Sequence, residues 1–264
     1  MLDLELLEEL YRKYSHREQV FPDPVGFLYD YPEAKDREIV GLIASSLAYG
    51  RVAQIHKSVA SVLEKMLPSP RSYLEKSTNK KLFDNFKGFK HRFTTDYELS
   101  LMLIAIKSLL EEHGSLQKYF LAGLQPDDGN VLSAMCHFSQ GLMKYSDFDK
   151  NSLLPCPTRG SACKRLNLYL RWLGRSDAVD PGGWEEVGAS KLLMPVDTHI
   201  YRFGLAFRLT DRKSADMKTT LEITDGFKKI SPEDPVRYDF TLTKASILKE
   251  PYVVKQLKKK GLLP

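Results

Sequence analysis

Two short segments of this chain bring together residues that could break a covalent bond. The first, Gly160-Ser161-Ala162-Cys163-Lys164-Arg165-Leu166-Asn167, follows a loop holding Pro155 and Pro157 and runs on as a helical pattern through Trp172 and Leu173. It places Lys164 in the first turn of that helix. The second, Met194-Pro195-Val196-Asp197-Thr198-His199-Ile200-Tyr201-Arg202, puts a proline and an aspartate at the mouth of another helix, 33 residues further on. The first turn of a helix carries unpaired N–H groups and about half a positive charge. That field disfavours an ammonium, so a lysine there gives up its proton more readily and becomes a nucleophilic amine. The same field favours a carboxylate. An amine beside a carboxylate suits attack on an acetal-like carbon whose leaving group departs as positive charge develops. Each residue also has a plainer role: Lys164 as a surface lysine, Asp197 as an N-cap. His199 has a structural role, since an Asp-x-His pair without further His or Glu partners makes no metal site.

Val196-Asp197-Thr198-His199-Ile200, followed by Arg202, resembles the catalytic segment of endonuclease III and its relatives, the helix-hairpin-helix DNA glycosylases. The resemblance covers roughly residues 155–205 and, more weakly, 42–54. It implies that Lys164 attacks the sugar carbon and that Asp197 assists. The lysine–aspartate spacing is closer to that of the archaeal 8-oxoguanine glycosylase branch. In that branch a basic residue two turns beyond the lysine and a later aspartate line the base pocket, which Arg171 and Asp239 match, with a salt bridge to Arg237 or Arg171 in helix packing as the alternative for Asp239. Trp172 is grouped with this pocket, although its ring suits a core position better than a base-stacking one. Arg51 matches by position the wedge residue that fills the gap left by an extruded base. Arg159, Arg165, His91 and Arg92 are the expected phosphate contacts, with packing of a loop as the alternative for His91 and Arg92. Two features depart from the pattern. The turn before Lys164, Thr158-Arg159-Gly160-Ser161-Ala162, has one glycine where a full hairpin has Gly-hydrophobic-Gly, so the hairpin is degenerate. The four-cysteine iron–sulfur loop of endonuclease III is missing, and no metal or organic cofactor is expected.

Nearly the full length is also similar to a bacterial family known only as a domain of unknown function. The pieces that carry this kinship are Ala48-Tyr49-Gly50-Arg51, His91-Arg92-Phe93, Cys163-Lys164-Arg165-Leu166-Asn167, Pro195-Val196-Asp197-Thr198-His199 and Asp234-Pro235-Val236-Arg237-Tyr238-Asp239-Phe240.

The elements that must position these residues read as helices. Leu4, Leu7, Leu10 and Tyr11 share one helical face over 3–14. Asp36 is placed to cap a helix through Leu47 with Gly50 as its stop. A second run spans Ile55 to Met66 and ends at Pro68, and Thr95-Asp96-Tyr97-Glu98 fits a capping box. Further helices are expected at 115–122, 129–144, 162–173, 197–207, 213–229 and 235–247, the last opened by Ser231-Pro232-Glu233-Asp234. No alternating Val/Ile/Thr run marks a strand. The expected fold is all-α and two-lobed, like a DNA glycosylase, with residues 1–50 and 196–264 forming a terminal lobe and 51–195 a central bundle.

At 264 residues, 42% apolar and 28% charged, the chain has the composition of a globular protein. Its longest uncharged apolar stretch, Ile39 to Gly50, is 12 residues, against the ~20 that a membrane helix needs. Three cysteines make no disulfide framework, and the N-terminus lacks a signal pattern, so a cytoplasmic protein is expected. Residues 151–264 carry 20 Lys and Arg against 13 Asp and Glu, whereas 1–150 carry 19 against 21. A basic half beside a nearly neutral one fits a polyanion-binding face. The sequence thus points to a monomeric base-excision glycosylase, with or without a lyase step, acting on damaged double-stranded DNA that bears an oxidised base such as 8-oxoguanine. The alternatives are a non-catalytic DNA-binding protein, a metal-dependent phosphohydrolase using Asp197 and His199, and a protein-interaction scaffold.

Overall fold

The chain is described by a computed structural model covering residues 4–146, 151–259 and 261. Lys260 and residues 262–264, the far end of the expected terminal lobe, lie outside the described residues. Thirteen α-helices occur among them: α1 (Leu4–Tyr14), α2 (Ala34–Ser46), α3 (Val52–Leu63), α4 (Pro70–Glu75), α5 (Asn79–Phe86), α6 (Asp96–His113), α7 (Leu116–Ala122), α8 (Leu132–Ser146), α9 (Lys164–Gly174), α10 (Thr198–Ala206), α11 (Met217–Lys228), α12 (Asp239–Ile247) and α13 (Pro251–Lys259). Short strands β1 (Lys90–His91) and β2 (Thr94–Thr95) pair antiparallel, with His91 opposite Thr94. Among the described residues the protein is all-α apart from that hairpin.

Two apolar cores organise the helices. The larger takes in Val25, Leu28 and the inner faces of α2 to α9, and reaches Leu193. The smaller gathers Leu7 and Leu10 of α1 with Met194, Val196, Ile200 and Phe203, and with Phe227, Tyr238, Leu242 and Val253. The first and last described helices, α1 and α13, therefore both belong to the smaller lobe. The expected boundary at residue 50 is corrected. Ile39, Val40, Leu42, Ile43 and Leu47 all belong to the larger core, so α1 alone represents the N-terminal part in the smaller one. The reason is that α2 is buried continuously from Glu38 to Ser46. A helix without a polar face must be covered on every side, and the segment Pro24–Asp30, α4 and α9 supply that cover.

Helix starts follow the expected chemistry in part. Thr95 and Glu98 form the reciprocal capping box that opens α6, which satisfies two donors at once. Asp36 does not cap α2. It sits inside the first turn and accepts from Ser69 Oγ (2.8 Å) and the Arg71 N–H (2.7 Å), fastening α2 to the start of α4. The segment Ser231–Asp234 does not begin α12 either: helix starts only at Asp239, because the Asp234 side chain is turned inward to accept from Arg175 Nε at 2.9 Å. Helices α4, α5 and α13 and the hairpin had no counterpart in the sequence reading. Among the described residues, no helix is long and apolar enough to cross a membrane.

Candidate active site

Lys164 and Asp197 meet in space. Lys164 is the first residue of α9, and Asp197 is the N-cap of α10. The turn before α9 is held by side chains: Ser161 Oγ accepts from the Cys163 N–H (3.1 Å), and Asn167 Nδ2 donates back to the Ala162 carbonyl (3.0 Å). Cys163 itself takes a left-handed backbone, φ 48°, a conformation that non-glycine residues seldom adopt without a compensating role. Burial pushes its thiol up to about 12, so it does not supply a thiolate nucleophile. On the other side of the site, Asp197 divides its two oxygens. Oδ1 accepts from the N–H groups of His199 (2.8 Å) and Ile200 (2.9 Å), and Oδ2 lies 3.5 Å from Lys164 Nζ. Capping and facing the lysine are thus compatible in one carboxylate.

The pair lies on the wall of a cleft of ≈ 420 Å³ that also contacts Tyr49, Arg171, Trp172, Asp239 and Phe240. Its walls come from both cores: α9 and the α2–α3 connection on one side, Pro195, Asp197, His199 and α12 on the other. A neighbouring recess of ≈ 380 Å³ shares Ala48, Tyr49, Gly50 and Lys164 with it and adds Ser161 and Arg165. Lys164 therefore stands where the two spaces meet.

Arg171 and Asp239 come together below the pair, as the resemblance implied, but both are buried. Arg171 is 2% exposed and bonds Asp239 closely through Nη1, while its Nε and Nη2 lie 3.2 and 3.1 Å from Asp180. Asp180 is also held by Arg175, which in turn pairs with Asp177 and Asp234. Two guanidinium groups and four carboxylates thus form one network beneath the cleft. Every nitrogen of Arg171 faces a carboxylate, so the residue is a clamped floor of the cleft, which corrects the picture of an arginine held free to read a base. Burial pushes the Asp239 carboxyl up to about 6, aided by the negative charge of Asp197 and opposed by Arg171 and Lys164. Because that folded value exceeds the ~3.9 of an unfolded aspartate, the stability tied to the protonated form is complete below about pH 4. It is lost as pH rises through about 6. Asp239→Asn cannot titrate, so its stability relative to the native chain is expected to improve between pH 4 and pH 7. Urea unfolding at several pH values checks this; a constant difference would mean that Asp239 stays ionised in the folded chain across that range.

Other expected site residues are redistributed. Trp172 is fully buried and offers no open ring face, so it backs the cleft and does not stack on a ligand. His91 is fully buried as well. Its Nδ1 meets Ser58 Oγ (2.9 Å) and its Nε2 meets the Tyr49 carbonyl (3.0 Å), which makes it a structural pin and not a phosphate contact. Arg165 is committed too: Nη1 donates to the Ser46 carbonyl (2.7 Å) and Nη2 to the Ser152 carbonyl (2.6 Å). It ties α9 to the end of α2. Arg51, Arg92 and Arg159 are exposed, and Arg51 immediately precedes α3, between the cleft-lining Gly50 and Val52. His199 lines the cleft and is oriented by a 2.7 Å hydrogen bond between Nδ1 and Ser246 Oγ. Among the described residues, no group of three or more His, Cys, Asp or Glu could hold a metal ion.

Sequence reasoning did not single out Tyr49, Asp180 or Phe240. Tyr49 and Phe240 sit inside segments already noted for their kinship, and an aromatic beside a helix-ending glycine was the available signal for the first. No helical or motif signal marks Asp180, whose importance comes from two arginines five and nine residues back in the chain. A family model described as a protein of unknown function, DUF2400, matches residues 23–248. No curated protein and no solved structure matches the chain.

Proposed function

Since the chain belongs to the DUF2400 family, which brings no activity with it, we propose from the site itself that it is a DNA base-excision enzyme, a glycosylase with a lysine nucleophile. The observation that carries this reading is the meeting of Lys164 and Asp197, 33 residues apart in the chain and 3.5 Å apart in space, on the wall of a cleft between two cores. A nucleotide must leave the duplex stack before its glycosidic bond can be reached, and a cleft of ≈ 420 Å³ is roomy enough to receive a base.

The chemistry follows from the two side chains. Lys164 Nζ, having lost a proton, attacks the anomeric carbon of the sugar. The bond from that carbon to the base breaks, and its electron pair leaves with the base, which is protonated. Asp197 faces the positive charge that builds on the sugar. The amine then loses a second proton, which passes to the ring oxygen as that oxygen departs from the anomeric carbon, and a protonated imine links lysine and DNA. An oxidised purine such as 8-oxoguanine is the first substrate to try, on the resemblance in lysine–aspartate spacing. Borohydride reduces such an imine, so trapping with duplexes bearing a panel of lesions tests the proposal directly. A chain that binds DNA but yields neither trapped adduct nor free base would be a binding protein instead. Activity lost to chelators would favour metal-dependent hydrolysis.

The charge distribution supports a DNA-facing surface. The buried network absorbs Arg171 and Arg175 with Asp177, Asp180, Asp234 and Asp239. The remainder of residues 151–264 then holds 18 cations against 9 anions, twice as many. With about four to six phosphates neutralised, the log–log salt dependence of duplex binding is expected to have a slope of about −4 to −5. A flat response between low and physiological salt would remove the electrostatic case.

A further inference from the structure

The tip of the hairpin carries chemistry that the excision reading does not use. Phe93 is 64% exposed, yet its ring is not loose: it stacks on Tyr49, centroids 5.0 Å apart and planes 24° from parallel. Tyr49 is itself fixed. Its hydroxyl donates to the His91 carbonyl (3.0 Å) and shares a 2.5 Å hydrogen bond with Thr94 Oγ1. His91 meets its ring edge-on at 4.6 Å, and the Arg165 guanidinium sits 5.1 Å from its centroid. The outer ring of this stack is thus preorganised, and a large apolar surface is held out in solvent at no further ordering cost.

The backbone holds it there under strain. The turn between β1 and β2 has two residues, Arg92 and Phe93, and Arg92 adopts φ 54°, in the left-handed region where glycine is the ordinary choice. The Arg92 side chain lies across Gly50, where an added Cβ would come within 2.8 Å of its Cδ. Gly50 and Tyr49 form the wall common to the cleft and the neighbouring recess, so the tip is folded over the edge of the site. Around it the charge is positive. Lys87, Lys90 and Arg92 are all exposed within six residues. The nearby carboxylates are committed to backbone N–H groups, Asp96 to Gly88 and Tyr97, Glu98 to Thr95 and Ser152.

We infer that Phe93, seated on Tyr49, is a stacking platform for an unpaired nucleobase, so that this surface prefers DNA with unpaired bases to fully paired duplex. A flat ring flanked by cations recognises both parts of a single strand, the face of its base and its phosphates. A paired base, with both faces covered by its neighbours, has nothing to offer the ring. The inference rests on the DNA reading above for its choice of polymer, but not on excision.

Anisotropy with single-stranded, bubble-containing and perfectly paired DNA of equal length tests it at one fixed salt concentration. The native chain is expected to bind the first two about tenfold more tightly than the third. Phe93→Ala should lose that preference and leave paired binding within about twofold, while Phe93→Trp should keep it. The exposed ring supports no core, so the alanine variant is expected to melt with the native chain. Equal binding to all three DNAs, or a preference that survives Phe93→Ala, overturns the platform and leaves excision standing. A Phe93-dependent preference with no trapped adduct leaves the platform and removes excision. Failure to bind any DNA overturns both, and a dimer in sedimentation that Phe93→Ala dissolves reassigns the ring to self-association.

Discussion

Lys164→Gln is expected to abolish the borohydride-trapped adduct and to slow base release at least about 10³-fold, roughly 4 kcal/mol of barrier at ~1.4 kcal/mol per decade. Glutamine keeps most of the side chain's length and polarity but has no nucleophilic amine. The fold should be unaffected. Lys164 is about one-third exposed, and its ion pair with Asp197 spans 3.5 Å; a pair of that kind contributes about 0–1 kcal/mol. The α10 cap does not depend on it, because Asp197 Oδ1 bonds His199 and Ile200 whatever stands opposite Oδ2. Thermal unfolding and duplex binding of the variant should therefore match the native chain while its chemistry is gone. Asp197→Asn serves as the partner experiment. It keeps a capping oxygen and removes the charge, so excision should fall on the order of 10²–10³-fold with a stability loss of no more than about 1 kcal/mol. If Lys164→Gln still releases bases at the native rate, the lysine is not the nucleophile and an activated water becomes the better reading.

Arg171→Leu should have the largest effect on stability, about 3–5 kcal/mol, a large part of the ~5–15 kcal/mol that separates a folded domain from its unfolded chain. The substitution leaves Asp239 without its cation and Asp180 with Arg175 alone, both in the interior. Removing one partner of a buried pair is costly because the other remains charged or must take up a proton, whereas replacing both by apolar groups often restores stability. The double variant Arg171→Leu, Asp239→Leu is accordingly expected to recover much of the loss in urea unfolding, although not the activity. Were Arg171 instead a side chain held free for ligand, the single variant would unfold within about 0.5 kcal/mol of the native chain. The two outcomes are far enough apart for one denaturation series to separate them.

Local signals in the sequence located the residues of the site but misjudged several of their roles. The helical periods of α1, α3 and α10 survive into the structure because each of those elements keeps a polar side, while α6 and α10 open on side-chain caps of their own. Where a helix end depends on a partner distant in the chain, local reading failed. Asp36 binds α4 instead of capping α2, and Asp234 answers to Arg175 instead of opening α12. Short elements such as α4 and α5 have too few turns for a period to show. Residues such as His91, Arg165 and Trp172 have the types that bind DNA, and only packing reveals that their hydrogen bonds or ring faces are already taken.

By itself the sequence determined that the chain is helical, that Lys164 and Asp197 each stand at a helix start, and that the second half is basic. These are properties of near neighbours and of composition, and folding does not change them. Only the tertiary structure decided that the two helix starts converge, that Arg171 and Asp239 spend their charges on a buried network, and that Phe93 remains open to solvent. Those outcomes depend on which distant groups share a desolvated space. In the interior a charge must find a partner, and a ring is available only if nothing covers it. Neither condition can be read from residues adjacent in the chain.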